Sequence, residues 1–368
     1  MSKSVKIVIS GGGTGGHIYP AVAIANEIMA QMPDAEILFV GAEGKMEMEK
    51  VPKTGYDIVG LPIAGINRSN MLANLSFPLK LVKSLQKARQ TLKSFKPDVA
   101  VGVGGYASGP TLMMAGQMGV KTLIQEQNSY AGITNKWLAK KATKICVAYP
   151  GMEAFFPKGK LVFTGNPVRK DIVDSSVSRE DALKHFGLDS ARKTVLVIGG
   201  SQGARSINQA VLAGYQRFFE AGVQLIWQTG KGFLSTAKEK TDGKDFSQGF
   251  ISDFIYEMDM AYAAADVVIS RAGALSVSEL CLVAKPSILV PFPNAAEDHQ
   301  TKNAMSLVNE NAALIVKDNE VGEKLISTCL NLLADEKRQQ ELSRQIKTFA
   351  KPNAAKEIVE EVRKVIGL

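Results

Sequence analysis

At 368 residues, 45% hydrophobic and 22% charged, the chain exceeds what one core ordinarily supports and is far from a disordered composition, so two folded domains are expected. Its three cysteines, Cys146, Cys281 and Cys329, have no CxxC spacing; they offer neither a disulfide framework nor a zinc site and read as buried thiols. The net charge of +8 is uneven: residues 1–165 hold 19 Lys and Arg against 10 Asp and Glu, the remainder 25 against 26, which points to an anionic partner for the first half, nucleic acid or an acidic lipid surface.

The chain opens on a buried strand, Val5–Ile9, that runs into glycines, which is not the pattern of a signal peptide. A helix over Ala21–Gln31 and strands at Glu36–Val40, Val99–Val103 and Thr122–Ile124 follow. Short β-branched runs alternating with helices predict a parallel sheet covered on both faces. Gly165-Asn166-Pro167-Val168 has linker composition, after which the pattern restarts with strands at Thr194–Ile198, Gln224–Gln228, Val267–Ser270 and Ser287–Pro291. Pro352 breaks the chain before a last amphipathic helix, Ala354–Ile366, expected to fold back on the first domain. The expected domains are therefore 1–165 with 352–368, and 166–351. No stretch approaches the ~20 apolar residues of a membrane-spanning helix, so the chain is expected in the cytosol with any membrane contact peripheral.

Glycine loops end several of these strands. Gly11-Gly12-Gly13-Thr14-Gly15-Gly16-His17 lies between the first strand and its helix, where glycines and a helix N-terminus let backbone N–H groups meet an anion. It satisfies GxGxxG, and Glu43 follows the second strand where a ribose carboxylate would sit, so a nicotinamide oxidoreductase is one reading. Two further loops, Gly102–Pro110 and Gly199–Arg205, change the odds. Such loops in both halves predict an α/β fold of two Rossmann-like, doubly wound parallel-sheet domains facing across a cleft. In the second half, Gly273 makes a turn, Ala274, Leu275 and Ser276 present N–H groups at a helix start, and Val277 and Ser278 lead to Glu279 one turn on. Glu279 has two oxygens for the two hydroxyls of a ribose diol. The polar loop Asn294–Gln300 carries amides and carboxylates suited to sugar hydroxyls.

In order along the chain, Gly12–Pro20 (GGTGGHIYP), Gly104–Pro110 (GGYASGP), Glu126–Asn135 (EQNSYAGITN), Gly165–Arg169 (GNPVR), Gly199–Arg205 (GGSQGAR), Ala272–Glu279 (AGALSVSE) and Glu297–Ala304 (EDHQTKNA) closely resemble the MurG family of GT-B transferases. The resemblance implies inverting transfer of N-acetylglucosamine from its UDP form to the C4 hydroxyl of undecaprenyl-diphosphate muramyl-pentapeptide. It implies that Ile255 presents its backbone to uracil and that Glu279 holds the ribose. Ser201 and Arg169 would meet the diphosphate with Thr14, Gly15 and Gly16, and Asn128 and Gln300 would read the sugar. His299 stands before Gln300 where some relatives have Gln, which weakens the assignment there. An inverting displacement needs a general base: His17, since an imidazole titrates near neutrality, or else Glu126. Without a DxD motif no protein-bound metal or tightly bound cofactor is implied; Mg²⁺ would ride on the diphosphate.

The acceptor's route is expected along Met71–Lys93, where Leu72, Leu75, Phe77 and Leu79 adjoin Lys80 and Lys83, with Lys140 extending the basic patch. Apolar residues beside cations suit an anionic bilayer surface, whereas Leu81, Leu85 and Leu92 read as core. Little aromatic interleaving argues against nucleic acid. The implied location is the cytoplasmic face of the bacterial inner membrane, with other cell-wall and division proteins as further partners. Competing readings are another UDP-sugar GT-B enzyme, such as a UDP-N-acetylglucosamine 2-epimerase or a glycolipid synthase, and a silent membrane scaffold.

Overall fold

The computed structural model describes residues 4–65, 76–241, 246 and 248–368. The chain forms two compact units, Met1–Arg169 with Pro352–Leu368, and Lys170–Lys351. The division falls after Arg169 rather than after Gly165 because the linker-like segment is bonded into the first unit. Gly165 N–H donates to Val147 O (3.1 Å), and Asn166 exchanges hydrogen bonds with Gln125 and Gln127 (both 3.0 Å).

The first unit is a seven-stranded parallel sheet of β1 (Lys6–Gly11), β2 (Glu36–Ala42), β3 (Asp57–Leu61), β4 (Val99–Gly104), β5 (Lys121–Glu126), β6 (Lys144–Val147) and β7 (Leu161–Phe163). Their spatial order is β3-β2-β1-β4-β5-β6-β7. Period-two alternation decides which side chains face which layer. Ile7 and Ile9 of β1 join Val99 and Val101 of β4 under the helices Gly15–Gln31 and Ala354–Ile366, whose Ile24, Ile28, Ile358 and Val362 are fully buried. Val8 and Ala100 face the opposite layer, where Ala88, Leu92, Leu112 and Leu138 come from the helices Phe77–Phe95, Ser108–Gln117 and Ile133–Ala139. The terminal helix thus completes a layer of the first unit. The first helix starts at Gly15, six residues before the apolar periodicity suggested, and Pro20 lies inside it.

The second unit repeats the plan with β8 (Thr194–Ile198), β9 (Gln224–Gln228), β10 (Gly249–Ser252), β11 (Val267–Ser270), β12 (Ser287–Leu289) and β13 (Leu314–Ile315). The order is β10-β9-β8-β11-β12-β13, again all parallel. In each unit the strand order reverses beside the first strand, between β1 and β4 and between β8 and β11. Loops leaving such neighbours run to opposite faces of the sheet, which opens a crevice at the carboxyl edge where ligands of doubly wound folds bind. Among the described residues no helix is long and apolar enough to cross a membrane.

Candidate active site

In the first unit the reversal point is flanked by the loops after β1 and β4. Glu47, 1% exposed, accepts the N–H of Gly13 (2.8 Å) and of Ala42 (3.0 Å). A side chain on Gly12 would collide with that carboxylate. The protein's own carboxylate therefore occupies a loop donor that a dinucleotide fingerprint would turn to pyrophosphate. Glu43, the acidic residue of that alternative reading, is paired instead with Lys87 (2.7 Å).

Thr14 ends the loop in extended backbone (φ −146°, ψ 161°), and its carbonyl accepts the N–H groups of His17 (3.1 Å) and Ile18 (3.2 Å). Thr14 and Gly16 are exposed, Gly15 half-buried. His17, on the first helical turn, is half-buried, and its Nδ1 lies 3.0 Å from Gly12 O. A carbonyl only accepts, so Nδ1 carries a proton and Nε2 is the basic nitrogen of the neutral ring. The ring rests against the backbone of Gly104, where a Cβ would lie 2.8 Å from Nε2, and Gly104 has φ +100°. Only glycine meets both requirements, which explains why the loop after β4 is glycine-rich where it approaches the first loop.

Glu126 ends β5 and is 2% exposed. Its Oε1 accepts Asn128 N–H (3.1 Å) and Asn128 Nδ2 (3.3 Å), and its Oε2 accepts Gly132 N–H (3.0 Å) and Asn135 Nδ2 (2.8 Å). Four donors thus tie this carboxylate to the 127–135 loop and shape that loop. Asn128 is half-buried and oriented by Glu126. Beside it, Gln125, Gln127 and Asn166 form a buried amide network that sequence reasoning missed. Gln127 Nε2 donates to Val103 O (2.6 Å) and to Gln125 Oε1. Arg169 is half-buried at the end of this unit.

In the second unit, Ser201 is exposed in the loop after β8, between Gly200 (φ +78°) and Gly203 (φ +76°). After β11, Gly273 caps the helix Ala274–Val283 in extended backbone, and Val277 N–H makes a helical bond to Gly273 O (2.9 Å). The N–H groups of Leu275 and Ser276 thus point off the helix start. Ser278 Oγ turns back to Ala274 O (3.0 Å), and Val277 is buried. Glu279 is half-buried, and Tyr262 donates its hydroxyl to Glu279 Oε2 (2.8 Å). Tyr262 belongs to the helix Met258–Ala264, and no local pattern marks it as a partner.

Ile255 is 3% exposed, and its N–H is taken by Gln228 Oε1 (2.9 Å). Gln300 Oε1 accepts Phe292 N–H (2.9 Å), which assigns the amide so that Nε2 is its donor group. His299 Nδ1 is bonded to Ala296 O (2.7 Å), so it supports the loop backbone. Glu297 and Asp298, before it, both hold left-handed backbone (φ 55° and 54°).

The basic apolar segment divides as helical periodicity requires. On the helix Phe77–Phe95, Leu81 and Leu85 rest on the core and Leu92 is buried, while Leu79 and Val82 are 68% and 52% exposed beside exposed Lys80 and Lys83. Phe77, expected on the membrane side, is half-buried against the core instead. Met71, Leu72 and Leu75 lie outside the described residues. Sequence reasoning did not single out Ile133 and Trp137, 65% and 63% exposed one helical turn apart, next to exposed Lys140. Their helix and the helix Phe77–Phe95 both pack on the helix Ser108–Gln117, so these side chains share one layer of the unit.

Two family models match the chain, one for each sheet, the second running into the terminal helix of the first unit. Residues 7–147 match the glycosyltransferase family 28 N-terminal domain, and residues 194–358 match the family 28 C-terminal domain. A UDP-N-acetylglucosamine–N-acetylmuramyl-(pentapeptide) pyrophosphoryl-undecaprenol N-acetylglucosamine transferase from Parabacteroides distasonis is 55% identical, the match covering 99% of both chains. The protein of the same description from Phocaeicola vulgatus is 56% identical, over 99% of this chain and 97% of that one. The crystal structure of Acinetobacter baumannii MurG superposes with a TM-score of 0.78 at 26% identity, covering 98% of this chain and all of that one. The chain is a GT-B glycosyltransferase that belongs to family 28 and, within it, to the MurG family.

Proposed function

We propose that this protein transfers N-acetylglucosamine from UDP-N-acetylglucosamine to the C4 hydroxyl of lipid-diphosphate-linked N-acetylmuramyl-pentapeptide, a step of peptidoglycan synthesis. The observation that carries this reading is the full-length identity to transferases so described, with the expected donor-site residues present. In the second unit, Glu279, steadied by Tyr262, accepts the ribose hydroxyls. Ser201 and the N–H groups of Leu275 and Ser276 receive the diphosphate, and Gln300 reads the sugar. The acceptor hydroxyl attacks the anomeric carbon as the UDP oxygen leaves, so an α-linked donor gives a β-linked product. His17 Nε2 takes the hydroxyl proton, because the Nδ1 bond to Gly12 O holds the required tautomer. Fixed loop donors of the second unit stabilise the charge that develops on the departing diphosphate.

Any Mg²⁺ in this reaction would ride on the diphosphate. The protein works peripherally at the cytoplasmic face of the inner membrane, with Leu79, Val82, Ile133 and Trp137 entering the bilayer interface and Lys80, Lys83 and Lys140 meeting anionic headgroups.

The deciding experiment measures transfer of labelled N-acetylglucosamine from its UDP form to a synthetic lipid-diphosphate muramyl-pentapeptide. The wild type should catalyse it, and His17→Ala should lose roughly 10²–10⁴-fold in kcat with donor binding retained. An inactive wild type, beside a competent control enzyme, would defeat the reading. A nearly normal kcat for His17→Ala would remove only the base assignment.

A further inference from the structure

Gln228 closes β9 and is 4% exposed. Its amide spans two backbone segments at the carboxyl edge of the second sheet. Nε2 donates to Gly200 O (3.1 Å), in the turn that carries Ser201, and Oε1 accepts the N–H of the buried Ile255 (2.9 Å), in the segment after β10. The surroundings of this bridge are built to tight tolerance. A side chain on Gly203 would run into Thr229 O, and one on Gly230 into Gln202 O. Thr229 O accepts Asn208 Nδ2 (2.7 Å), and Asn208 Oδ1 accepts Trp227 Nε1 (3.0 Å). Thr229 N–H and Gly230 N–H then bond to Ser252 O (2.9 Å) and Asp253 O (3.0 Å). The end of β9 is therefore a fixed post, and Gln228 is the side chain that reaches from it to both loops.

We propose that Gln228 is a positioning residue for the nucleotide, holding the Gly200–Ser201 turn and the Ile255 segment at the separation a nucleoside diphosphate needs to engage both. The proposal rests on the donor-site reading above, in which Ser201 meets the diphosphate and Ile255 the base. A ligand with two recognition elements gains their full joint benefit only when the two receiving segments are already correctly spaced. The residue type follows from chemistry. The bridge needs one donor and one acceptor on a three-bond arm. Glutamate offers two acceptors to a carbonyl and an N–H, and methionine offers no donor.

The test compares wild type with Gln228→Met and with Gln228→Asn, whose shorter arm reaches one loop at a time. Affinities for UDP and for uridine are measured by titration, with donor KM, kcat and melting temperature alongside. UDP affinity should fall at least tenfold while uridine affinity changes less than threefold, and donor KM should rise with kcat nearly unchanged. The asparagine variant keeps a buried amide and should show the same split if the methionine variant does not fold. Equal losses for UDP and uridine, or no loss for either, would overturn the proposal, since a merely structural role does not separate the two ligands. A wild type that binds neither ligand would defeat the donor-site reading itself, a result that needs no variant.

Discussion

Removing the Glu279 carboxylate should weaken the donor through the ribose alone. Glu279 is half-buried, with Tyr262 donating to one oxygen at 2.8 Å, so the group is oriented before a nucleotide arrives. Each ribose hydroxyl bonded to a carboxylate contributes about 1.5–3 kcal/mol. Water satisfies part of that in the free state, which makes about 3 kcal/mol a reasonable total, or ~150-fold in affinity. Glu279→Ala should therefore raise the Kd for UDP by two orders of magnitude. Tyr262→Phe, which deletes only the orienting hydroxyl, should cost about 1 kcal/mol, roughly fivefold. The assay is calorimetric titration with UDP and with 2′,3′-dideoxy-UDP. Because the dideoxy ligand lacks the diol, it should bind wild type and Glu279→Ala almost equally. If Glu279→Ala weakened both ligands by the same factor, the carboxylate would act on something other than the ribose.

Further outcomes follow from the same geometry. Glu126→Gln turns one of two saturated acceptors into a donor facing N–H groups. It should lose about 1–3 kcal/mol and several degrees of melting temperature, whereas a collapse of kcat at unchanged stability would make Glu126 the base. Exposed Trp137 and buried Trp227, the chain's two tryptophans, make fluorescence a direct reporter of membrane contact. Vesicles rich in anionic lipid should blue-shift the Trp137 emission, and Ile133→Ser with Trp137→Ser should cut partitioning by about 2 kcal/mol, ~30-fold; an unshifted spectrum would remove this helix from the interface.

Burial raises the Cys281 thiol to about 12 and pushes Cys146 and Cys329 up as well. In the unfolded chain these thiols ionise first. The stability they confer is complete below the unfolded thiol value near 8.5 and is lost as pH climbs towards the folded values, by up to ~1.4 kcal/mol per pH unit for each thiol. Urea melts between pH 8 and pH 10.5, with maleimide labelling of the native protein, check this; rapid labelling at neutral pH would contradict the burial.

Local pattern alone determined much of this protein. The apolar runs of β1, β2, β4, β5, β8, β9 and β11 are continuous because central parallel strands are covered on both faces, so they stand out in any window. The glycine loops are legible for a related reason: positive φ at Gly104, Gly200 and Gly203 excludes most other residues and leaves a compositional trace. The outer strands β7 and β13, of three and two residues, are too short for any periodicity. The first helix was read late because Pro20 resembles a helix start.

What only the tertiary structure decided is which polar groups meet. Glu47 reaches Gly13 across 34 residues, Gln228 reaches Ile255 across 27, and Tyr262 reaches Glu279 across 17. Such pairs are made by strand order and crossover, not by neighbouring sequence, so nothing local distinguishes a buried glutamine that bridges two loops from one on a surface. Glu126 shows the same limit in reverse. Its sequence context admits a base or a structural carboxylate, and only the fold brings the four donors of the following loop onto its two oxygens.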